Sequence, residues 1–120
     1  MTLQDQINAL IAEIEEGLLT GKIHTGTPVL ALEYQTKLSA YLSSSYGQVE
    51  ILDTREARYF VNEREKFKSD NACRKSWETT KDGIAQKFWE NRVERLQVLV
   101  RALEKVFYFG RDEARQRELK

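Results

Sequence analysis

Apolar positions in the first twenty residues recur at the spacing of an α-helix. One apolar residue stands at every third or fourth position: Leu3, Ile7, Leu10, Ile14 and Leu18. Such spacing places these side chains on one face of a helix. Thr2, with Asp5 three residues later, is suited to cap its start, and Gly21 is suited to end it. The pattern predicts a short helix over residues 1–20.

A second, longer stripe begins at Thr27-Pro28, where a cap residue precedes a proline at the first helical position. Its apolar members are Leu32, Leu38, Tyr41, Leu42, Val49, Leu52, Tyr59, Phe60 and Phe67. The serines 43–45 and Gly47 have low helix propensity, so a break near Gly47 is one alternative. Because the heptad register continues across these residues, we expect a single helix over residues 28–68.

The remaining sequence predicts one short helix and a second long helix. Turn and cap residues at 68–71 precede a short helix over residues 70–78, and Thr79 with Asp82 is a candidate capping pair for the next helix. The next stripe comprises Ile84, Phe88 or Trp89, Val93, Leu96, Val100, Leu103 and Phe107. It predicts a helix over residues 80–110. Residues 111–120 are charged and should form a frayed helical extension or a tail.

No strand pattern competes with these helices, because apolar–polar alternation is brief wherever it occurs. The sequence therefore predicts one all-α domain of 120 residues. We expect a short N-terminal helix and two long amphipathic antiparallel helices, arranged as a helical hairpin or coiled-coil bundle. Their stripes are long and narrow, so a lone pair would leave apolar surface in water. A homo-oligomer is therefore expected.

Charge is balanced overall but not along the chain. The net charge is zero, yet residues 1–53 contain two basic and seven acidic side chains, which leaves the rest of the chain at +5. This division is typical either of a basic surface or of acidic and basic helices that pair within a bundle or between subunits. We favour the pairing of helices, since charged helix flanks commonly pair.

Cysteine content and the N-terminal sequence bear on the compartment. Cys73 is the single cysteine and has no partner for an internal disulfide, which favours a reducing compartment. Polar residues interrupt the N-terminal segment, so it resembles neither a signal peptide nor a transit peptide. No apolar run approaches the roughly 18 residues needed to span a bilayer. We expect a cytoplasmic protein without membrane contact, or one located in the cytoplasm of a host cell.

Candidate chemistry is sparse. His24 is the single histidine and has no cysteine or acidic residue at a metal-ligand spacing. The glycines match neither a P-loop nor a dinucleotide-binding fingerprint. We therefore expect no catalytic residue, no metal site and no cofactor, and the hypothesis is that the chain is not an enzyme.

The segment from Arg55 to Lys81 combines basic and aromatic residues. It contains eight basic and five acidic side chains, interleaved with four aromatic ones. Phosphates require cations and unpaired bases stack on aromatic rings, so this composition suits single-stranded DNA. The candidate nucleic-acid-binding residues are Arg58, Arg64, Lys66, Lys68, Arg74, Lys75, Trp77 and Lys81. Alternatively, the aromatic residues pack in the core and the acids pair with the bases, and composition alone favours this second interpretation.

The order of features also resembles a known family. Points of similarity are Tyr34, Leu38, Tyr41, Leu42, Lys68, Ser69, Trp89, Leu96, Leu103 and the segment from Phe107 to Arg115. Over residues 28–118 this pattern is similar to phage-encoded recombination mediators of the UvsY type. The resemblance implies a non-enzymatic helical oligomer that binds single-stranded DNA and helps to load a recombinase while displacing a single-strand-binding protein. It places DNA contacts on the basic candidates between residues 58 and 75.

The leading hypothesis is thus a self-associating accessory protein of phage-like DNA recombination or replication, with single-stranded DNA as partner. The alternative is a helical protein–protein interaction module, an adaptor or an inhibitor of a host or defence enzyme. In that alternative, an unpaired stripe containing Ile7, Ile11 and Ile14 docks into a partner groove. A purely structural coiled-coil subunit is a third hypothesis.

Overall fold

The computed structural model describes residues 1–118, and helices account for most of that range. In chain order they are α1 (Leu3–Thr20), α2 (Pro28–Glu63), a 3-10 turn (Arg64–Lys66), α3 (Asp70–Thr79) and α4 (Lys81–Glu118). No strand occurs within the described residues, so the all-α prediction is confirmed. No helix in this part of the chain is both long and apolar enough to cross a bilayer. The antiparallel layout and the homo-oligomer stay predictions.

Local capping sets the ends of α1. The Thr2 hydroxyl accepts the Asp5 backbone N–H at 3.1 Å, and the Asp5 carboxylate accepts the Thr2 backbone N–H at 3.3 Å. This reciprocal capping box satisfies two backbone donors that have no partner inside the helix. At the other end Gly21 has a φ of 79°, the left-handed conformation that glycine adopts without steric cost.

The second helix is continuous through Gly47 but ends earlier than its periodicity predicts. It stops at Glu63 rather than at residue 68, and Phe67 is extended, with φ −119° and ψ 153°. A guanidinium N–H of Arg64 donates to the Phe67 carbonyl at 2.9 Å and another donates to the Asp70 carboxylate. These bonds fix a turn that redirects the chain into α3, which the apolar pattern did not reveal.

Different residues from those expected cap α4, and the helix extends beyond its predicted end. The Thr80 hydroxyl, rather than the predicted Thr79 side chain, accepts the Gly83 backbone N–H at 3.0 Å. The helix continues through Gly110 to Glu118, so the described part of the charged segment 111–120 is a helical extension. Leu119 and Lys120 lie outside the described residues.

The chain divides into two compact units. The first unit joins Met1–Leu42 to the described part of Arg95–Lys120, and the second unit is Ser43–Glu94. In the first unit α1 shares a core with the first part of α2 and the second part of α4. That core consists of Ile7, Leu10, Ile11, Ile14, Ile23, Ala31, Tyr34, Leu38, Leu96, Leu99 and Leu103.

Burial of the α1 stripe corrects one prediction. Ile7, Ile11 and Ile14 are at most 3% exposed, so they form the core of the first unit and are not free to dock into a partner. The apolar stripe of α1 meets apolar side chains from α2 and α4, and removing all three from water stabilises the unit. If α1 binds a partner, it must do so through another face.

The charge division along the sequence disappears within the units. The first unit contains nine basic and nine acidic residues, and the second contains ten of each. The acidic N-terminal segment shares its unit with the basic C-terminal part of α4, as the ion pair between Glu15 and Arg95 illustrates. The arrangement supports the interpretation that acidic and basic helices pair.

Candidate functional site

All eight predicted nucleic-acid-binding residues lie in the second unit. This unit contains the second part of α2, the 3-10 turn, α3 and the first part of α4. Its buried apolar residues are Leu52, Cys73, Trp77, Trp89 and Val93. The predicted residues therefore surround a small helical core, and their burial and pairing determine which of them a ligand can reach.

Trp77 belongs to that core. Its side chain is 3% exposed, and its indole N–H donates to the Gln86 side-chain oxygen at 2.7 Å. The Gln86 amide in turn donates to the carboxylates of Asp53 at 2.8 Å and Glu56 at 3.2 Å. Because the ring is covered and its polar atom is bonded, the structure does not support the expected stacking of a base on Trp77.

Arg64 and Lys66 are engaged in local ion pairs. Arg64 binds Asp70 across the turn between α2 and α3. The Lys66 ammonium lies 2.6 Å from a Glu63 oxygen, and the hydrogen bond and negative charge of Glu63 raise the pKa of Lys66. For these two residues the structure agrees with the alternative interpretation, in which acids and bases pair at short sequence separation.

The other five predicted cations remain available. Arg58, Lys68, Arg74, Lys75 and Lys81 are exposed, and none of them forms an ion pair within residues 1–118. Arg74 and Lys75 lie on α3, the helix whose Cys73 and Trp77 are buried. These five cations are therefore the part of the predicted site that can contact an anionic ligand.

One of the five, Arg58, lines an open cleft of about 330 Å³. The residues around this cleft are Arg55, Arg58, Tyr59, Asn62, Glu63, Trp77 and Asp82. The sequence did not indicate Asn62 or Asp82 as binding residues. The helical spacing of positions 55, 58, 59 and 62 would have placed Asn62 on the same face as Arg58. Asp82 comes from α4 and enters the site only through tertiary folding.

Most charges around the cleft are already neutralised. Arg55 Nη1 lies 3.1 Å from Asp82 Oδ1, and Glu63 is paired with Lys66 outside the cleft. Arg58 is the lining cation without an ion-pair partner in the described chain. The cleft therefore has one uncompensated positive charge.

Tyr59 forms a fixed aromatic wall of the cleft. Its hydroxyl is 2.7 Å from Ser76 Oγ, and its ring centroid is 5.4 Å from that of Trp77 at an interplanar angle of 55°. Its side chain is half-buried, so part of the ring faces the cleft. A fixed ring next to a free guanidinium offers a planar surface and a cation to the same ligand.

The single histidine, His24, has a structural role in a loop. His24 Nδ1 accepts the Gly26 backbone N–H at 3.0 Å and thereby shapes the loop between α1 and α2. Within residues 1–118, no three His, Cys, Asp or Glu side chains converge in a way that could hold a metal ion.

Comparisons of the chain with protein-family models, curated proteins and solved structures found no match.

Proposed function

We propose that this chain is a non-enzymatic protein that binds single-stranded DNA through its second unit, with one phosphate held by Arg58 in the cleft. The observation that carries the proposal is the electrostatic state of that cleft. Its other charged residues are in ion pairs, whereas Arg58 is exposed and unpaired. A guanidinium presents several N–H donors in a plane and binds phosphate oxygens in a bidentate manner.

The walls of the cleft favour a nucleotide over a simple anion. Tyr59 supplies part of an aromatic ring, and Asn62 supplies an exposed amide that can donate or accept hydrogen bonds. Bases of a single strand are free to stack on such a ring, whereas those of a duplex are already stacked and paired. The cleft volume of about 330 Å³ is at the lower end of small-ligand sites. These features suit a short element of single strand.

Further phosphates would contact the exposed cations Lys68, Arg74, Lys75 and Lys81. Each phosphate contact on a single strand contributes about −0.7 to the slope of log affinity against log salt, so five contacts would give a slope of about −3.5. Because the unit is electrically neutral as a whole, we expect moderate affinity that falls steeply with salt.

The more specific role rests on the sequence resemblance to UvsY-type mediators. We propose that the bound strand is presented to a recombinase while a single-strand-binding protein is displaced, and that the protein acts as a homo-oligomer. Adding the chain to DNA coated with single-strand-binding protein should shorten the delay before a recombinase filament forms. An unchanged delay, with intact DNA binding, would leave strand binding in place and contradict the loading role.

Substitution of Arg58 tests strand binding directly. We expect Arg58→Ala to weaken binding of labelled oligo-dT about tenfold at low salt, in line with the loss of one charge-assisted hydrogen-bonded contact. The salt slope should fall by about 0.7 in magnitude. Fluorescence anisotropy across a salt series measures both quantities.

Arg101→Ala is the matched control, because Arg101 is an exposed arginine of the first unit and the substitution changes the net charge equally. It should leave the affinity within about twofold, since Arg101 is not among the cations proposed to contact phosphates. Absence of binding by the unsubstituted protein at low salt would refute the proposal, as would equal effects of the two substitutions.

A further inference from the structure

Two polar side chains of the cleft, Asn62 and Glu63, have hydrogen-bonding atoms without partners. Glu63 Oε2 lies 2.6 Å from the Lys66 ammonium, but Glu63 Oε1 has no partner within residues 1–118. The exposed amide of Asn62 also forms no hydrogen bond in this part of the chain. On the basis of the strand binding proposed above, we propose that these side chains make the cleft selective for bases with an amino group, cytosine and adenine, over thymine.

Helix geometry places both side chains beside the ring on which a base would stack. Asn62 and Glu63 follow Tyr59 in α2 by three and four residues, and all three line the cleft. Side chains at these spacings are neighbours on a helix, with Cβ atoms about 5–6 Å apart. A base on the Tyr59 ring therefore has its polar edge within reach of the Asn62 amide and the Glu63 carboxylate.

The position of such a base is restricted from two sides. A hydrogen bond to Ser76 at 2.7 Å and packing against Trp77 fix the Tyr59 ring. Arg58, which precedes Tyr59 in the sequence, is the cation proposed to bind the phosphate of the same nucleotide. A base held by its ring and its phosphate loses little further freedom when its edge forms hydrogen bonds, so these bonds can contribute to affinity.

Charged side chains of opposite sign lie one helical turn to either side of Tyr59. Arg55 precedes it by four residues, Glu63 follows it by four, and both line the cleft. Arg55 Nη1 donates to Asp82 at 3.1 Å, and the other guanidinium N–H groups of Arg55 have no partner within the described residues. The cleft therefore presents hydrogen-bond donors at one end and an acceptor at the other.

Cytosine matches this order of donors and acceptors. Its N4 amino group donates hydrogen bonds, whereas its N3 and O2 atoms accept them. When the amino group donates to Glu63 Oε1, the adjacent N3 can accept from the Asn62 amide, and O2 is directed toward Arg55. Adenine likewise carries an amino group beside a ring nitrogen that accepts. Because a carboxylate only accepts hydrogen bonds, Glu63 is suited to the amino group of either base.

Thymine has the opposite order. Its O4 atom is an acceptor at the position where cytosine has the amino group. The one N–H donor of thymine, at N3, lies between two carbonyl oxygens, so its approach to Glu63 also brings a carbonyl oxygen toward the carboxylate. Two acceptors that face each other leave both without a hydrogen bond. Thymine is therefore the disfavoured base.

Binding of two pyrimidine strands to the full chain tests the proposal. Oligo-dC and oligo-dU have the same ring size and both lack the thymine methyl group, so they differ in the groups at N3 and C4. Fluorescence anisotropy at low salt and mildly alkaline pH, where cytosine N3 carries no proton, should show about tenfold tighter binding of oligo-dC. A strand of 2-pyrimidinone nucleotides, which has hydrogen in place of the amino group, should lose most of this advantage.

Two acidic residues provide matched variants. Glu63→Gln should reduce the preference for oligo-dC to less than about twofold, because a carboxamide can donate to a carbonyl oxygen as well as accept from an amino group. Glu65 is exposed, does not line the cleft and forms no ion pair within residues 1–118, so Glu65→Gln controls for charge and should keep the preference. Each variant removes one negative charge and should raise the affinity for both strands by a similar factor. Circular dichroism checks that each variant keeps its helix content.

The outcomes separate base selection from strand binding. Equal affinities for oligo-dC and oligo-dU would overturn base selection, and strand binding would stand if Arg58→Ala still weakened both. Absence of binding by either strand would refute both proposals. A preference that persists in Glu63→Gln, or that Glu65→Gln also removes, would contradict the role of Glu63. A preference that only Glu63→Gln removes would support it.

Discussion

Gln86 connects three polar side chains of the second unit through hydrogen bonds. It is 8% exposed, accepts the Trp77 indole N–H, and donates to the carboxylates of Asp53 and Glu56. A buried amide with partners for both of its groups does not incur the cost of an unsatisfied polar group. The carboxylates of Asp53 and Glu56 also affect the carboxyl group of Glu90. Burial, followed by the charges of Asp53 and Glu56, raises the pKa of Glu90 above its ordinary value of 4.5.

The raised pKa of Glu90 predicts how stability depends on pH. A carboxyl group with a raised pKa in the folded state favours folding when protonated. Its contribution is fully present below pH 4.5 and is lost as the pH rises through the raised value. We expect Glu90→Gln to increase the free energy of unfolding by roughly 0.5 kcal/mol at pH 7, a small effect because this carboxyl group is only partly buried and solvent screens its charge. The gain should vanish near pH 4. Urea titrations at both pH values measure it, and an equal gain at both would contradict the explanation.

At the scale of elements, helix ends decide where the available cations lie. The 3-10 turn ends α2 at Glu63, and the Ser69 hydroxyl then accepts the Ala72 backbone N–H at 3.1 Å to start α3. This cap sets the phase of α3, so that Cys73 and Trp77 face the core. Arg74 and Lys75 then face solvent. The turn before α3 therefore determines which cations of the proposed site are exposed.

Removal of this cap should weaken the second unit. We expect Ser69→Ala to lower the free energy of unfolding by about 1 kcal/mol, because a backbone donor of the first turn loses its acceptor. Ser43→Ala is the control, since Ser43 is an exposed residue inside α2 and alanine is the better helix former. Urea unfolding followed by tryptophan fluorescence reports the second unit, and equal effects of the two substitutions would contradict the capping role.

At the scale of the whole molecule, α2 and α4 each contribute to both units. The first unit depends on residues from the two ends of the chain, whereas the second is continuous in sequence. Both tryptophans, Trp77 and Trp89, lie in the second unit. Circular dichroism therefore reports the whole chain and tryptophan fluorescence reports one unit. The two signals can show whether the chain unfolds in one step.

We expect a single cooperative transition, because loss of one unit removes packing partners from helices that continue into the other. Leu103→Ala, at a fully buried position of the first unit, should lower the free energy of unfolding by about 2–5 kcal/mol. Both signals should shift together to lower urea concentration. Leu19→Ala, at a position that is 87% exposed, should shift neither by more than about 0.5 kcal/mol. An unchanged fluorescence transition in Leu103→Ala would show that the units unfold separately.

The amino-acid sequence by itself determined the helices and several of their ends. Apolar spacing specified α1, most of α2 and most of α4, and turn and cap residues specified α3. The capping box of Thr2 and Asp5 fixed the start of α1. It also identified the segment that contains the available cations. These features depend on residues within a few positions of one another, so the sequence expresses them directly.

Tertiary structure alone decided the features that depend on distant partners. Gly110 resembles a helix end in the sequence, yet α4 continues through it, and a Cβ there would lie 2.2 Å from the Thr25 carbonyl oxygen. Because Gly110 has no side chain, the loop that contains Thr25 can lie against the backbone of α4. Likewise, Trp77 is buried because Gln86 and Tyr59 surround it, and Arg55 is neutralised by Asp82 from another helix. Burial and ion pairing depend on which helices meet in space, and no local spacing contains that information.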